Sequence, residues 1–188
     1  GQSGVAPGVE IVSIRQSSSI FRAEQRGAGP GGSGPGGEPD VNPGAMAGVG
    51  TLSTLARAIR AAVDAGAGVI NISEAACVPA GTRLADDTLG GAIRYAAVDH
   101  DVVLVAAAGN VGEACATQNP DGPDVAVPGD DGWEGVQTIA SPAWYGDLVL
   151  TVGGVDADGR PADFSLRGPW VDVAAPAVDL RSVGADGD

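Results

Sequence analysis

The sequence has no lysine. All ten basic residues are arginine, set against 24 aspartates and glutamates, for a formal net charge of −14. Without lysine there is no Gly-Lys step, so a Walker-type phosphate loop is excluded. The acidic excess argues against nucleic acid as a partner and against an anionic membrane surface. Histidine occurs once and cysteine twice, too few for a zinc cage built from those residues; no metal and no other cofactor is expected. No run of about 20 apolar residues exists, so nothing reads as a bilayer-spanning helix. Gly1 is not an initiator methionine and no signal-like segment follows it, which reads as a processed chain or a piece of a longer one.

What the chain does have is 188 residues, including 31 glycines and 13 prolines. A chain near this size buries roughly 70% of the surface its unfolded form exposes, enough for one domain with a real core. Residues 9–15 (Val-Glu-Ile-Val-Ser-Ile-Arg) alternate and are β-branched, the pattern of a strand. Residues 27–39 contain seven glycines and three prolines, a flexible surface loop with no face to bury. From Thr51 the period changes. Leu52, Leu55, Ala56, Ile59 and Val63 make one helical stripe, with Thr51 as N-cap and Gly66 and Gly68 as the stop.

Val69-Ile70-Asn71-Ile72-Ser73 then reads as a strand, residues 87–99 as a second helix, and residues 102–107 as an uninterrupted apolar strand of the kind buried on both faces. Further strands are predicted at 136–140, 148–153 and 170–174. Residues 112–134 hold six acids and no base and read as a long solvated acidic loop. Alternation of strand and helix predicts an α/β fold, a parallel sheet with helices on both faces. In such sheets function gathers at the carboxyl ends of the strands. Two of these ends, Ser73-Glu74-Ala75-Ala76 and Ala108-Gly109-Asn110, are predicted to be neighbours.

Four stretches in order resemble a subtilisin-like serine protease: Gly4-Val5-Ala6-Pro7, Val69-Ile70-Asn71-Ile72-Ser73, Val105-Ala106-Ala107-Ala108-Gly109-Asn110 and Val173-Ala174-Ala175-Pro176. The finer resemblance is to the mycosins, the subtilases associated with type VII secretion. It is carried by Ile14-Arg15-Gln16, Leu55-Ala56-Arg57-Ala58, Ala92-Ile93-Arg94-Tyr95-Ala96, Ser141-Pro142-Ala143-Trp144-Tyr145, Phe164-Ser165-Leu166-Arg167-Gly168-Pro169-Trp170-Val171-Asp172-Val173 and the cysteine pair.

The resemblance implies a serine endopeptidase acting on a peptide or protein substrate. It implies a place in a type VII secretion membrane complex, outside the cytoplasm, with a membrane anchor in a later C-terminal part. In the family, the catalytic aspartate and histidine precede the Gly4-Val5-Ala6-Pro7 stretch, and the serine lies in a Gly-Thr-Ser motif after Ala175-Pro176. No Gly-Thr-Ser occurs in this sequence. The expectation is therefore a central part of one peptidase domain (residues 1–188), with its sheet incomplete at both ends. Lacking all three triad residues, it should be marginally stable and inactive alone.

By the same resemblance, Asn110 is the oxyanion-hole asparagine, and Ser73, Glu74, Ala75, Ala107, Ala108 and Gly109 line the first specificity pocket. Glu74 departs from the family pattern, and either favours a basic substrate side chain or points to solvent. Cys77 and Cys115 both follow strands on one sheet edge; a disulfide is favoured over two buried free thiols, and implies an oxidising compartment. His100, flanked by two aspartates at a helix end, reads as a cation at a helix C-terminus rather than a catalytic base. Gly29 to Gly34 fits G-x-G-x-x-G, but its prolines deny it the helix that phosphate binding needs. The sequon at Asn71 is discounted as part of a buried strand, and the acids of the loop match no EF-hand. Two rival readings are a non-catalytic subtilase-like scaffold of a secretion complex, and a nucleotide-binding α/β domain, which the missing lysine disfavours.

Overall fold

The structure is a computed structural model that describes residues 6–17, 50–112, 115–122 and 127–180. The glycine-rich stretch at 27–39 and the Gly4-Val5 step lie outside the described residues.

Helix α1 spans Leu52–Asp64. Thr51 Oγ1 accepts from the Thr54 N–H at 3.1 Å, and Thr54 Oγ1 accepts from the Thr51 N–H at 2.8 Å. This reciprocal pair satisfies two of the donors that a helix start leaves orphaned. The predicted stripe Leu52, Leu55, Ala56, Ile59 and Val63 is buried. Strand β1 (Val69–Ile72) and strand β2 (Ala76–Pro79) follow. The predicted second helix is divided into α2 (Asp87–Arg94) and a wider π-turn segment (Tyr95–Asp99). Then come β3 (Val103–Ala107), β4 (Thr138–Ser141), β5 (Leu150–Val155) and β6 (Val173–Pro176).

Strands β1, β3, β5 and β6, in that order, form one parallel sheet. The predicted α/β core is present. Strands β2 and β4 pair antiparallel in a separate ribbon, so the segment predicted at 136–140 does not join the main sheet. Ile70 and Ile72 lie in register with Leu104 and Ala106, and this face packs on Ile59 of α1 and Leu89 and Ile93 of α2. Burying each such aliphatic side chain contributes roughly 1.5–3 kcal/mol.

Among the described residues, both helices lie on this one face. The other carries Val69, Val103, Leu150 and Val173, which are 63%, 51%, 42% and 47% exposed. The run at 102–107, predicted to be buried on both sides, therefore alternates: Leu104 and Ala106 are buried and Val103 is not. An unbroken apolar run records what a strand can bury, not which faces are covered.

The strand predicted at 9–15 is a second correction. These residues form no strand, and Val9, Ile11, Val12 and Ile14 are exposed. Alternating β-branched residues suit a pleated, half-buried surface, but a strand exists only against a partner. No described segment pairs with this one.

The start of α2 is tied to the turn after β4. Asp86 is buried and its carboxylate accepts from Ser141 Oγ at 3.1 Å and Trp144 Nε1 at 3.0 Å. Tyr145 donates its hydroxyl to the Asp86 carbonyl at 3.3 Å. Burial first, and then the nearby Asp86, push the Tyr145 hydroxyl well above the usual phenol range. At pH above about 10 the unfolded chain loses this proton while the folded chain keeps it. Stability is therefore expected to fall as pH rises past that value. Urea titrations of wild type and Tyr145→Phe at pH 9 and 11 check this, because the variant should lose less stability over that interval. An equal loss in both proteins would remove Tyr145 from the account.

Candidate active site

Strands β1 and β3 are adjacent and parallel, with Ile72 opposite Ala106. Their carboxyl ends therefore lie side by side, which brings Ser73 next to Ala107-Ala108-Gly109-Asn110. The β3 ladder runs one residue past the strand, where the Ala108 N–H donates to the Val152 carbonyl at 3.0 Å. Gly109 then takes φ +106, and a Cβ there would meet Leu166 Cδ2 at 3.2 Å. Both the positive φ and the close pass call for glycine. The turn lifts Asn110 off the end of the sheet, where it is exposed. Among the described residues, no group takes up its side-chain amide.

The turn is braced from the far side. Asn110 pairs antiparallel with Ser165. The Leu166 N–H donates to the Gly109 carbonyl at 2.9 Å and the Val111 N–H to the Phe164 carbonyl at 2.7 Å. Ser165 Oγ accepts from the Gly154 N–H at 2.9 Å. A concavity of about 290 Å³ opens across the carboxyl ends of β1, β3, β5 and β6. Its walls include Ser73, Ala107, Ala108, Gly109 and Asn110 from the predicted site.

Glu74 and Ala75 are not among its walls. The Glu74 carboxylate instead accepts from Gln16 Nε2 and from Ser17 Oγ, the latter at 2.5 Å. Gln16 Oε1 accepts in turn from Thr54 Oγ1 at 3.0 Å, beside the N-terminus of α1. Glu74 thus anchors the N-terminal segment, an option that neither sequence expectation for it contained. Asn71, read as part of a buried strand, is exposed at the site and donates from Nδ2 to Ser73 Oγ at 2.9 Å. Sequence reasoning also missed Gly154, Phe164 and Ser165 as walls. The Gly153-Gly154 step at a strand end and the mycosin-like stretch from Phe164 were the available signals.

Cys77 and Cys115 form a disulfide with Cα atoms 5.1 Å apart. It pins β2 to the segment that returns beside Val111, where the Gly112 N–H donates to the Cys115 carbonyl at 3.2 Å. His100 lies at the other end of β3 from Asn110, at the close of the helical segment. Its ring sits 4.2 Å from that of Tyr95, over which Arg60 is placed at 4.0 Å. A five-residue strand spans about 16 Å, which separates His100 from the turn at Asn110. Among the described residues, no helix is long and apolar enough to cross a membrane.

The parallel sheet and its packed helices belong to the subtilisin-like class of α/β folds, as the similarity to known proteins shows. The chain belongs to the Subtilase family, whose profile matches residues 1–187. It is 45% identical over 189 residues to Mycosin-1 of Mycobacterium tuberculosis (strain ATCC 25618 / H37Rv), covering 100% of this chain and 40% of that protein. Mycosin-1 of Mycolicibacterium smegmatis (strain ATCC 700084 / mc(2)155) is 46% identical, with 100% and 39% covered.

Among solved structures, the serine protease MycP1, described as an essential component of the type VII (ESX-1) secretion system, superposes with TM-score 0.69 at 49% identity, covering 82% of this chain and 42% of that one. A chain of the periplasmic assembly from the ESX-5 inner membrane complex gives 0.76 at 42% identity, covering 95% and 41%. The chain thus spans about two fifths of the length of these two mycosins.

Proposed function

We propose that the protein containing this chain is a serine endopeptidase of the mycosin kind, and that Asn110 is its oxyanion donor. When a nucleophile attacks the scissile carbonyl carbon, negative charge gathers on the carbonyl oxygen. A primary amide can donate to that oxygen without itself titrating. The observation that carries the reading is the Asn110 amide, turned out by Gly109 and taken up by no described neighbour. Ser73, Glu74 and Ala75 on one side, and Ala107, Ala108 and Gly109 on the other, offer backbone edges to an extended peptide. The small side chains at Ser73, Ala107, Ala108 and Gly109 leave room for the substrate side chain before the scissile bond.

The nucleophile and its base come from parts of the longer protein outside these 188 residues. This chain alone therefore has no route for acyl transfer. Similarity to the ESX-5 periplasmic assembly supports a working place in a type VII secretion membrane complex, outside the cytoplasm. The Cys77–Cys115 bridge agrees with an oxidising compartment. Labelling of the full-length protein with a serine-directed fluorophosphonate tests the reading. Stoichiometric, heat-sensitive labelling is expected. A folded full-length protein that takes no label would instead be a non-catalytic scaffold of the complex.

A further inference from the structure

Gln118 and Asn119 lie inside the stretch whose composition reads as solvated loop. Asn119 is buried: it donates to the carbonyls of Thr138 and Arg167 and accepts from the N–H groups of Gln137 and Thr138. Its neighbour Gln118 does something more local. Gln118 Nε2 donates to the Ser165 carbonyl at 2.9 Å, and its Oε1 accepts from the Arg167 N–H at 2.9 Å and the Asn119 N–H at 3.0 Å. One amide thus meets the residues on both sides of Leu166. It presents a donor face and an acceptor face, as a peptide unit of a third strand would.

Leu166 is one of the residues that hold the Asn110 turn. Its N–H binds the Gly109 carbonyl, and its side chain fills the space over the Gly109 Cα. The segment 164–167 is therefore braced on its inner edge by residues 109–111 and on its outer edge by Gln118. Releasing the outer edge lets Leu166 shift, and Gly109 and Asn110 shift with it. We propose that Gln118 is a positioning residue for the Asn110 amide; this rests on the oxyanion role proposed above. Gln118 does not touch substrate; it fixes the segment against which the donor turn is set.

The test is a double-mutant cycle on the full-length protein with a peptide substrate, using Gln118→Met to keep the bulk and delete the hydrogen bonds. Rates are normalised to sites titrated to completion with fluorophosphonate, which removes any loss of folded protein. Gln118→Met is expected to lower kcat between about tenfold and a hundredfold, the cost of a small misplacement at a reacting centre, while KM stays within about twofold. In an Asn110→Ala background the same change should lower kcat by less than about twofold, because no donor is left to misplace.

An unchanged kcat for Gln118→Met overturns the proposal. An equal fall in both backgrounds also overturns it and makes Gln118 merely structural. Should Gln118→Met fail to fold, Gln118→Glu keeps both acceptor bonds, sets a carboxylate oxygen against the Ser165 carbonyl in place of the donor, and carries the same cycle. If Asn110→Ala itself leaves kcat unchanged, the oxyanion reading fails and this inference falls with it. If Asn110→Ala is slow and Gln118→Met is not, only this inference fails.

Discussion

Asn110→Ala in the full-length protein is expected to lower kcat by about 10²–10³, equivalent to roughly 2.7–4 kcal/mol, with KM little changed. That range comes from a subtilisin rather than from this chain. The split between kcat and KM follows from where the charge is. The ground-state carbonyl accepts a neutral hydrogen bond whose loss is small, whereas the developing oxyanion depends on a fixed donor in a site with little water. Asn110→Asp should be slower still above pH 5, because a carboxylate both lacks the donor and repels the oxyanion. A third variant separates this from general damage at the sheet edge: Ser73→Ala, on the neighbouring strand end, should stay within a few-fold of wild type, since it removes no donor aimed at developing charge. An Asn110→Ala enzyme with wild-type kcat would remove Asn110 from the mechanism.

Those parts of the fold were legible whose sequence pattern and structure share one cause. The stripe from Leu52 to Val63 buries one face of a helix, and Thr51 caps it through a short-range bond, so both could be read within one window of residues. The parallel sheet followed from strand and helix alternation, and the expectation that two of its strand ends are neighbours put Ser73 beside Asn110. What failed to read depends on distant residues. Residues 9–15 have the pattern of a strand, but pairing is a property of two segments. The exposed side of β3 looks the same in sequence as its buried side, because Val103 and Leu104 are both apolar.

Glu74 was the harder case. Its type suggested substrate charge, and its role is decided by Gln16 and Ser17, more than 50 residues away. Gln118 was invisible for a related reason. A polar residue in an acidic, proline-containing stretch reads as solvated, and only three-dimensional closure of the loop onto Ser165 and Arg167 turns its amide inward.

The other large effect concerns the disulfide. Replacing both cysteines by alanine is expected to lower unfolding stability by about 4 kcal/mol in the chain-entropy model, within a usual range of about 2–5. The bridge closes a loop of 38 residues, and opening it returns that freedom to the unfolded chain. Packing adds to the loss. Both half-cystines are buried among Ala140, Ala143, Leu166 and Trp170, and two alanines leave part of that volume unfilled. Burial also means that a dithiol reductant should reach the bridge only after unfolding, so the native protein should resist reduction at concentrations that reduce it in urea.

The effect on catalysis should be much smaller than that of Asn110→Ala. The donor turn is held by Leu166 and Phe164 through bonds that do not pass through Cys115. Urea unfolding of the full-length protein measures the first quantity, and kcat per titrated site the second. A stability loss under about 1 kcal/mol would show that the unfolded chain keeps this loop closed without the bridge. A fall in kcat matching that of Asn110→Ala would instead show that the bridge, and not the 164–166 segment, sets the donor.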